Sequence, residues 1–193
     1  MKQVLMTGVG AYLPEGILTN DELSKFLDTD DNWIRQRTGI VSRRRANPEE
    51  LTSDLAVKAA HQALKRSGVA ITDIDCIILA TTTPDYTFPS TATIVQQKLG
   101  ADNAFAFDVQ AVCAGFVYAL SVANGLMSSG QSSNALVIGA ETFTKLLDWE
   151  DRSTCVLFGD GAGAVVLQAE NSKLGYGIIA NKLYSDGRYK DIL

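Results

Sequence analysis

A nearly continuous apolar run restricts the fold of this chain more than any other feature. The run spans Ile74–Thr82 and carries a single charged residue, Asp75. Strands exposed on one face alternate apolar and polar residues, whereas strands covered on both faces are apolar throughout. The run therefore predicts a central strand in a sheet that has helices on both faces.

Strand and helix patterns alternate along the rest of the chain. Further strands are predicted at Val4–Thr7, Ala104–Val109 and Ala135–Gly139, with a last one near Gly177–Leu183. Helices are predicted over Asp21–Leu27 with Asn20 as the cap, around Trp33 and Ile34, from Thr52 or Ser53 to before Gly68, from Ser90 to before Gly100, and from Cys113 to Gly130. This order predicts an α/β fold with a mixed, mainly parallel sheet and helices on both faces.

Two glycine-rich segments raise the question of a dinucleotide site. Gly8-Val9-Gly10 follows a strand pattern, but it lacks the third glycine and the helix that cradle a phosphate. Residues 159–163 lie between two strand patterns, at 154–158 and 164–168, which is typical of a glycine-rich hairpin. Tight turns are the favoured interpretation of both segments.

Composition excludes several classes of function. With 193 residues, 46% of them hydrophobic, the chain can bury a sizeable core. Its net charge of −5 argues against a nucleic-acid partner. No apolar run reaches the roughly 20 residues that span a bilayer, and Gly8, Gly10 and Pro14 interrupt any signal-peptide core, so no membrane association is expected.

The cysteines favour a reducing compartment. Cys76, Cys113 and Cys155 form no C-x-x-C pair, so the sequence predicts neither a disulfide framework nor a zinc site. This usage is typical of the cytoplasm. The single histidine, His61, lies among charged residues at helical spacing and is predicted to be a surface side chain.

Cys113 lies where a strand pattern gives way to a helix pattern. A cysteine there meets the positive end of the helix dipole, which stabilises a thiolate, and the arrangement resembles the nucleophile elbow of hydrolases. The alternative is an inert buried thiol, which is the interpretation favoured for Cys76 and Cys155. The backbone N–H of Cys113 is a candidate for half of an oxyanion hole.

An arginine cluster accompanies Trp33. Five of the 17 basic residues lie between Arg35 and Arg45. Arginines bind phosphates in a bidentate way and a tryptophan can stack on a base, which favours a nucleotide site. A solvated patch paired with Glu49 and Glu50 explains the same spacing equally well. Phe88, in a proline-containing loop, is a candidate pocket wall, partner contact or loop anchor.

Several motifs in order resemble the 3-oxoacyl-[acyl-carrier-protein] synthase III family, which has a thiolase-like fold. The motifs are Thr7–Pro14, Trp33–Ile40, Ala80–Pro84, Phe88–Ser90, the Cys113 segment and Phe158–Ala164. The resemblance implies that residues 1–193 form the amino-terminal thiolase-like half, with the carboxyl-terminal half absent from this chain.

The resemblance also implies roles for individual residues. Cys113 corresponds to the nucleophile that is acylated by a short acyl-CoA. Trp33 and Arg152 correspond to the pair that sandwiches the CoA adenine, and Arg37 and Thr29 to polar contacts at the same end. Phe88 corresponds to a residue that reaches across a homodimer interface into the partner's acyl pocket.

The implied reaction is the decarboxylating condensation of an acyl-CoA with malonyl-acyl carrier protein, which needs no metal or redox cofactor. In the family, a histidine and an asparagine from the second half complete the site, so this chain alone is expected not to condense. Two alternatives stay open: a condensing enzyme of secondary metabolism, and a non-catalytic interaction or dimerisation module.

Overall fold

The structure, a computed structural model, describes residues 2–171 and 176–191. Its strands are β1 Gln3–Tyr12, β2 Gly16–Thr19, β3 Ser42–Arg45, β4 Cys76–Ala80, β5 Phe105–Val109, β6 Asn134–Glu141 and β7 Gly161–Glu170. Its α-helices are α1 Asn20–Leu23, α2 Asp31–Thr38, α3 Thr52–Ser67, α4 Thr91–Leu99, α5 Gly115–Ser128 and α6 Arg152–Cys155. Single 3₁₀ turns lie at Ile71–Asp73, Val112–Ala114, Phe143–Lys145 and Gly187–Tyr189.

A mixed five-stranded sheet organises the chain, in the order β1-β7-β6-β4-β5. Strand β4 pairs in parallel with both β5 and β6, whereas β7 is antiparallel to both β6 and β1. Four of the five strands therefore point the same way and only β7 is reversed. This confirms the predicted mixed, mainly parallel sheet.

Helices cover both faces of the sheet. On one face α3 and α4 pack over alternate residues of the central strands, such as Ile77 and Leu79 of β4. On the other face α5 packs over the intervening residues, Cys76 and Ile78. All five residues of β4 are buried, as the continuous apolar run predicts.

Gly8 and Gly10 lie within β1, so the prediction of a tight turn there is wrong. A Cβ on Gly10 would lie 2.0 Å from the Ala59 carbonyl oxygen, and one on Gly8 would lie 2.2 Å from the Ala63 carbonyl oxygen. The two glycines therefore let α3 approach β1 more closely than any side chain allows.

The predicted glycine-rich hairpin at residues 159–163 is also wrong. Residues 152–155 form α6 rather than a strand, and β7 already begins at Gly161. Gly163 lies between two neighbouring strands, opposite Ala11 of β1 and Gly139 of β6. The glycines thus belong to a central strand with a partner on each side.

Two helix starts differ from the predictions. Thr19, not Asn20, caps α1 in a reciprocal capping box with Glu22, while the Asn20 side chain is buried and bonds Asp31 and the Ile40 carbonyl. Ser90 precedes α4 but makes no side-chain cap; the Asp108 carboxylate accepts the first two helix N–H groups instead. Strand β5 is thereby tied to the start of α4.

The chain also departs from the predicted strand order at both ends. Residues 178–183 form no strand. The Ile178 N–H donates one ladder-like hydrogen bond to the Val4 carbonyl, and this pairing does not extend into a strand. A separate two-stranded antiparallel sheet, β2 with β3, was missed by the sequence analysis and carries the arginines at positions 43–45. The other predicted helices and strands are present, with bounds shifted by a few residues.

Candidate active site

The carboxyl ends of β4, β5 and β6 lie together and border a pocket. Because these strands are parallel and adjacent, the loops that leave them meet at one edge, the usual location of ligand sites in such sheets. The pocket has a volume of about 280 Å³. It is lined by Ala80, Thr82, Val112, Cys113, Phe116, Gly139, Ala140, Glu141, Phe143, Phe158 and Gly159.

Cys113 enters this pocket through a strained turn. Val112, the residue before it, has φ of +48°, a left-handed conformation that β-branched residues rarely adopt. Such strain costs of order 1–3 kcal/mol and persists only where the surroundings enforce it. Cys113 itself lies in a 3₁₀ turn and α5 begins two residues later, at Gly115, so the helix start predicted at Cys113 is shifted.

Two glycines bring α5 close to the sheet beneath the cysteine. A Cβ on Gly115 would lie 3.2 Å from the Ala80 side chain, and one on Gly139 would lie 3.3 Å from the Phe116 ring. The first turn of α5 contains no acidic residue. Cys113 therefore lies just before a helix start whose positive dipole end is not neutralised.

The three cysteines occupy different environments. Cys113 is exposed, whereas Cys76 and Cys155 are fully buried, which confirms that these two are core thiols. Burial raises the pKa of the Cys76 thiol to about 12 and also raises the pKa of the Cys155 thiol. Only the Cys113 sulfur combines access to solvent with a pocket.

The backbone N–H groups of the two residues after Cys113 already donate hydrogen bonds within the chain. Ala114 donates to the Ala111 carbonyl, and Gly115 donates to the Val112 carbonyl. Neither group is therefore free to bind an oxyanion. The assignment of the Cys113 N–H to an oxyanion hole stays a prediction.

Three aromatic rings form the apolar walls of the pocket. Phe116 lies over Gly139, and Phe143 packs against Phe158 with 4.6 Å between ring centroids. All three rings are half-buried. They provide an apolar surface of the size of a short acyl chain next to the Cys113 sulfur.

The one charged residue among those that line the pocket is Glu141, which the sequence analysis missed. It ends β6, and its carboxylate accepts hydrogen bonds from the loop after β4, including the Thr82 N–H at 2.8 Å and the Thr83 hydroxyl at 2.5 Å. The sequence signal that could have identified Glu141 is an acidic residue at the carboxyl end of a buried strand. The partner threonines lie about sixty residues earlier, and no local pattern identifies them.

The structure brings Trp33, Arg37 and Arg152 together. Trp33 lies on α2, and the Arg37 guanidinium, one turn later, is 4.4 Å from its ring centroid. Arg152, the first residue of α6, is 5.0 Å from the same centroid, and it donates to the backbone carbonyl of Asp28. Two cations thus contact one half-buried indole ring.

Thr29 lies beside this cluster in sequence, between Asp28 and the cap of α2. Its hydroxyl oxygen is buried and has no hydrogen-bond partner among the described residues. A buried unpaired hydroxyl costs about 1–3 kcal/mol. Orphaned groups of this kind point to a ligand or a water that would satisfy them.

The remaining arginines of the cluster have structural roles. Arg43 is buried and donates to the Leu18 and Val156 carbonyls and to Asn20. Arg44 donates to the Pro14 carbonyl, and Arg35 pairs with Asp31 on α2. The expectation of a solvated patch paired with Glu49 and Glu50 is therefore wrong for these three residues.

A second, wider cavity of about 580 Å³ lies apart from Cys113. It is lined by residues of β2, of the segment 45–48 and of the segment 144–149. Arg45 there lies over Trp149, 5.5 Å from the ring centroid. The cavity is lined by no cysteine, and its Thr144 and Lys145 side chains are engaged in hydrogen bonds to Asp160 and to the Pro48 and Glu50 carbonyls, so the smaller Cys113 pocket is the better candidate for chemistry.

Phe88 lies outside the Cys113 pocket. Its side chain is 83% exposed, in the loop between β4 and α4. A loop anchor would be buried, so that interpretation is wrong. The two others, a pocket wall contributed to another chain and a partner contact, remain predictions.

Two other predicted features concern the surface. His61 is exposed on α3, as predicted. Among the described residues, no helix combines the length and the apolar character that a membrane crossing requires.

Comparison with known proteins identifies relatives of the whole chain. The family model for 3-oxoacyl-[acyl-carrier-protein (ACP)] synthase III matches residues 107–187. The beta-ketoacyl-[acyl-carrier-protein] synthase III of Ehrlichia canis is 57% identical over 193 residues, which is 100% of this chain and 60% of that protein. The protein of the same name from Rhodobacter capsulatus is 57% identical over 99% of this chain and 60% of its own length.

Solved structures of similar fold give the same result. The 3-oxoacyl-[acyl-carrier-protein] synthase III of Aquifex aeolicus matches with a TM-score of 0.85 and 50% identity, over 90% of this chain and 55% of that one. A priming beta-ketosynthase from a polyketide biosynthetic pathway matches with a TM-score of 0.85 and 40% identity, over 89% of this chain and 52% of that one. The chain thus spans about 60% of the length of the curated relatives it matches.

Proposed function

We propose that the chain is a member of the 3-oxoacyl-[acyl-carrier-protein] synthase III family, which its similarity to those proteins supports, and that Cys113 accepts the acyl group of an acyl-CoA primer. The observation that carries the proposal is the position of the sulfur: exposed, at a strained elbow, in an aromatic pocket. The acyl-cysteine would then be condensed with malonyl-acyl carrier protein, which initiates fatty acid synthesis.

In the proposed acylation step, the Cys113 thiolate attacks the thioester carbonyl carbon. A carbon–sulfur bond to Cys113 forms, the bond to the CoA sulfur breaks, and CoA leaves as a thiolate that takes up a proton. A thioester exchanged for a thioester is nearly balanced in energy, so the protein mainly has to position the groups. The start of α5 stabilises the attacking thiolate.

The CoA nucleotide is proposed to bind at Trp33 and Arg152, with Arg37 and Thr29 as further contacts. The unpaired Thr29 hydroxyl supports this, since a bound nucleotide would give it a partner. Stacked rings lie about 3.4 Å apart. An adenine between Trp33 and Arg152 therefore needs a gap of about 7 Å, and the guanidinium, 5.0 Å from the ring, must move away to create it.

The carbanion step is proposed to need groups beyond those in this pocket. The family's histidine and asparagine stabilise the enolate formed from malonyl-acyl carrier protein. The one histidine of the sequence is His61, which is exposed on α3 and is not among the pocket residues. The activity proposed for this chain is therefore the acylation half of the reaction, without a metal or redox cofactor and with the CoA thioester as substrate.

We propose that two copies associate through β5. This strand is at the end of the sheet and pairs with β4 alone among the described strands. Phe105, the first residue of β5, is 43% exposed, and Phe88, in the loop between β4 and α4, is 83% exposed. Pairing of two β5 strands would cover an apolar edge that otherwise favours aggregation. The location proposed for the protein is the cytoplasm, which three free thiols suit.

The experiment that tests the proposed function is a burst measurement. The protein is mixed with acetyl-CoA, and released CoA is quantified by chromatography. The expected result is a burst that approaches one equivalent of CoA per chain, and Cys113→Ser is expected to show none. Release that continues unchanged in Cys113→Ser, or the lack of any release from folded protein, would contradict the proposal.

One other function has specific support. The priming beta-ketosynthase of a polyketide pathway aligns over 89% of this chain at 40% identity. A condensing enzyme of secondary metabolism would use the same Cys113 elbow with another primer. Burst amplitudes measured across a series of straight and branched acyl-CoA thioesters discriminate between the two, because an enzyme that initiates fatty acid synthesis is expected to accept acetyl-CoA.

A further inference from the structure

The cavity of about 580 Å³ that lies apart from Cys113 has the size and composition of a ligand site. Ligand pockets usually measure about 300–1,000 Å³ and are mostly apolar, with a few polar groups that orient the ligand. This cavity is about twice as large as the Cys113 pocket and shares no lining residue with it. It is therefore a candidate for a second, separate binding site.

Apolar side chains from β2 and from the segment 144–149 form one wall of the cavity. Leu18 is buried, and Leu147 and Trp149 are half-buried. All three pack in the same small hydrophobic cluster, which anchors the wall in the protein. Ile17 also lines the cavity and is 53% exposed. A ligand with an apolar part would therefore remove apolar surface from water here.

The Trp149 ring is held between an aromatic neighbour and a cation. Phe26 contacts it edge-on, with 6.4 Å between the ring centroids and 71° between the ring planes. The guanidinium of Arg45, which ends β3, lies 5.5 Å from the centroid of the same indole ring. The cavity thus has an aromatic side chain and a positive charge next to each other.

A second cation, Lys145, is fixed at the cavity by backbone groups. Its Nζ donates to the Glu50 carbonyl at 2.8 Å and to the Pro48 carbonyl at 3.1 Å. An ammonium group has three N–H donors, so one donor is left. Because both partners are uncharged carbonyls, they hold the ammonium group in place without neutralising it.

Neither cation has a carboxylate partner in the part of the chain that the structure describes. Arg45 makes no hydrogen bond and no ion pair there, and its cation–π contact is with Trp149. The Glu50 carboxylate pairs with Lys58 and accepts the Tyr12 hydroxyl instead. The described residues that line the cavity include no aspartate and no glutamate. Both positive charges are thus available to a ligand.

Two available positive charges beside an apolar wall restrict the chemistry of the ligand. An uncharged hydrocarbon would partly desolvate the cations without pairing them, which is unfavourable. A polyphosphate would place much of its charge against apolar side chains. The chain as a whole has a net charge of −5, so the attraction of an anion to this cavity depends on local side chains. One anionic group with an apolar tail fits both features.

We propose that this cavity binds amphiphilic carboxylates, with the carboxylate at Arg45 and Lys145 and the alkyl chain along Leu18, Leu147 and Trp149. A carboxylate binds a guanidinium through two parallel N–H···O bonds, and such charge-assisted bonds are among the strongest in proteins. The apolar tail contributes by the surface that it buries. The inference does not depend on the acyl transfer proposed for Cys113.

Contact quenching of tryptophan fluorescence locates the ligand. The probe is octanoate with a bromine atom at the end of its chain, since bromine quenches an indole that it contacts. The sequence has two tryptophans, Trp33 and Trp149. The Trp33→Phe protein therefore emits from Trp149 alone, and the Trp149→Phe protein emits from Trp33 alone.

The expected result is saturable quenching in the Trp33→Phe protein and little quenching in the Trp149→Phe protein. Trp33 is a demanding comparison, because Arg37 and Arg152 also lie on its ring. A carboxylate that simply associates with an arginine beside an indole would quench both proteins equally. Equal quenching, or quenching of Trp33 alone, would overturn the proposal.

A probe without the charge tests the role of the cations. Bromooctanol has the same brominated tail and a hydroxyl in place of the carboxylate. Half-maximal quenching of Trp149 is expected to need at least about tenfold more bromooctanol than bromooctanoate, because charge-assisted hydrogen bonds are lost. Equal potency of the two probes would contradict the assigned position of the carboxylate.

Matched variants separate these cations from positive charge in general. Arg45→Gln is expected to weaken bromooctanoate binding by about tenfold, whereas Arg45→Lys, which keeps the charge, should lose less. Lys65→Gln removes the same charge from a different cavity, which is lined by His61 and Lys65, and its affinity should equal that of the native protein. Native affinity in Arg45→Gln, or an equal loss in Lys65→Gln, would overturn the proposal.

A salt titration of the native protein needs no variant to fold. Added salt screens the charges, so calorimetric titration should show weaker bromooctanoate binding as the ionic strength rises. Binding that does not depend on salt would count against the cations.

The burst of CoA release from acetyl-CoA separates this inference from the proposed function. If the burst is absent while Trp149 quenching responds to Arg45→Gln as predicted, the proposed function fails and the carboxylate site stands. If the burst is normal and Arg45→Gln binds bromooctanoate like the native protein, the carboxylate site alone fails.

Discussion

The Cys113 pocket and the Trp33 cluster differ in how complete they are before a ligand arrives. In the pocket, the walls are packed aromatic rings and the polar groups of Glu141 are fully bonded. In the Trp33 cluster, Arg152 lies on the indole ring where an adenine would stack, and the Thr29 hydroxyl has no partner. The pocket is preorganised, whereas the Trp33 cluster would have to rearrange to bind the proposed nucleotide.

The difference follows from the elements that build each region. The pocket is formed by the ends of the largely buried strands β4 and β6, by the turn that follows β5 and by the 14-residue helix α5. The cluster is formed by side chains of α2 and the four-residue α6, and Arg152 is 43% exposed. Changes in the pocket should therefore alter the chemical step, whereas changes in the cluster should alter the affinity for CoA thioesters.

The largest effect is expected when the nucleophile itself is replaced. Cys113→Ser should lower the rate of acyl transfer from acetyl-CoA at least about a thousandfold, since a serine lacks a base to activate it. The apparent affinity for CoA should stay near that of the native protein, as measured by calorimetric titration. If the variant lost CoA affinity as well as acyl transfer, the Cys113 pocket and the Trp33 cluster would not have the separate functions proposed for them.

A smaller but still large effect is expected from filling the space beneath Phe116. Gly139→Val places branched carbons where a Cβ alone would lie 3.3 Å from the ring, so Phe116 is driven into the pocket. Acyl transfer should fall by about a hundredfold, and the protein should lose about 1–3 kcal/mol of stability. Single-turnover transfer rates and urea unfolding measure the two quantities.

Gly139→Ala is the matched control for that change. Its smaller side chain should lower both the transfer rate and the stability by less. The variant should also discriminate against longer acyl chains more strongly than the native protein does. A Gly139→Val protein with unimpaired transfer would mean that the pocket is not where the acyl group binds.

In the other region, Trp33→Ala should weaken binding without affecting the thiol. Stacking of a base on an aromatic ring contributes about 1–3 kcal/mol, so the concentration of acetyl-CoA that gives half-maximal acylation should rise about 5- to 150-fold. The rate of Cys113 alkylation by iodoacetamide should not change. A fall in the alkylation rate would show that Trp33 supports the elbow rather than the nucleotide.

The smallest effect is expected from Thr29→Val, which should stabilise the free protein and weaken the binding of acetyl-CoA. Thr29→Val replaces a buried, unpaired hydroxyl by a methyl group. Unliganded protein should therefore become more stable, by about 1 kcal/mol in urea unfolding. Acetyl-CoA should bind about fivefold more weakly, because a hydrogen bond to the ligand is lost. Destabilisation of the free protein would show that the hydroxyl already has a partner, such as a water.

The sequence was informative where a feature is local. The Cys113 elbow, the buried β4 and the two core thiols all follow from short runs of residues, and the structure contains each of them. Glycines were misleading because their role depends on distant contacts: Gly8 and Gly10 make room for α3, and Gly163 lies between β1 and β6. In both segments the neighbouring residues alone form a pattern that is typical of a turn.

The site was predictable only in part for the same reason. Trp33 and Arg152 are more than a hundred residues apart in sequence, and only the family resemblance paired them before the structure did. Glu141 and its threonines come from two separate strand ends. Three-dimensional proximity of the β4 and β6 ends is what identifies them, and it depends on the strand order of the sheet.

The central claim, that Cys113 is the acyl-accepting nucleophile, is tested most directly by locating the acyl group. The protein is incubated with acetyl-CoA, quenched in acid and digested, and the peptides that contain Cys76, Cys113 and Cys155 are compared by mass spectrometry. The account predicts an acetyl adduct on Cys113 alone, since the other two thiols are buried. An adduct on Cys76 or Cys155, or none on Cys113 in protein whose Cys113 still reacts with iodoacetamide, would contradict it.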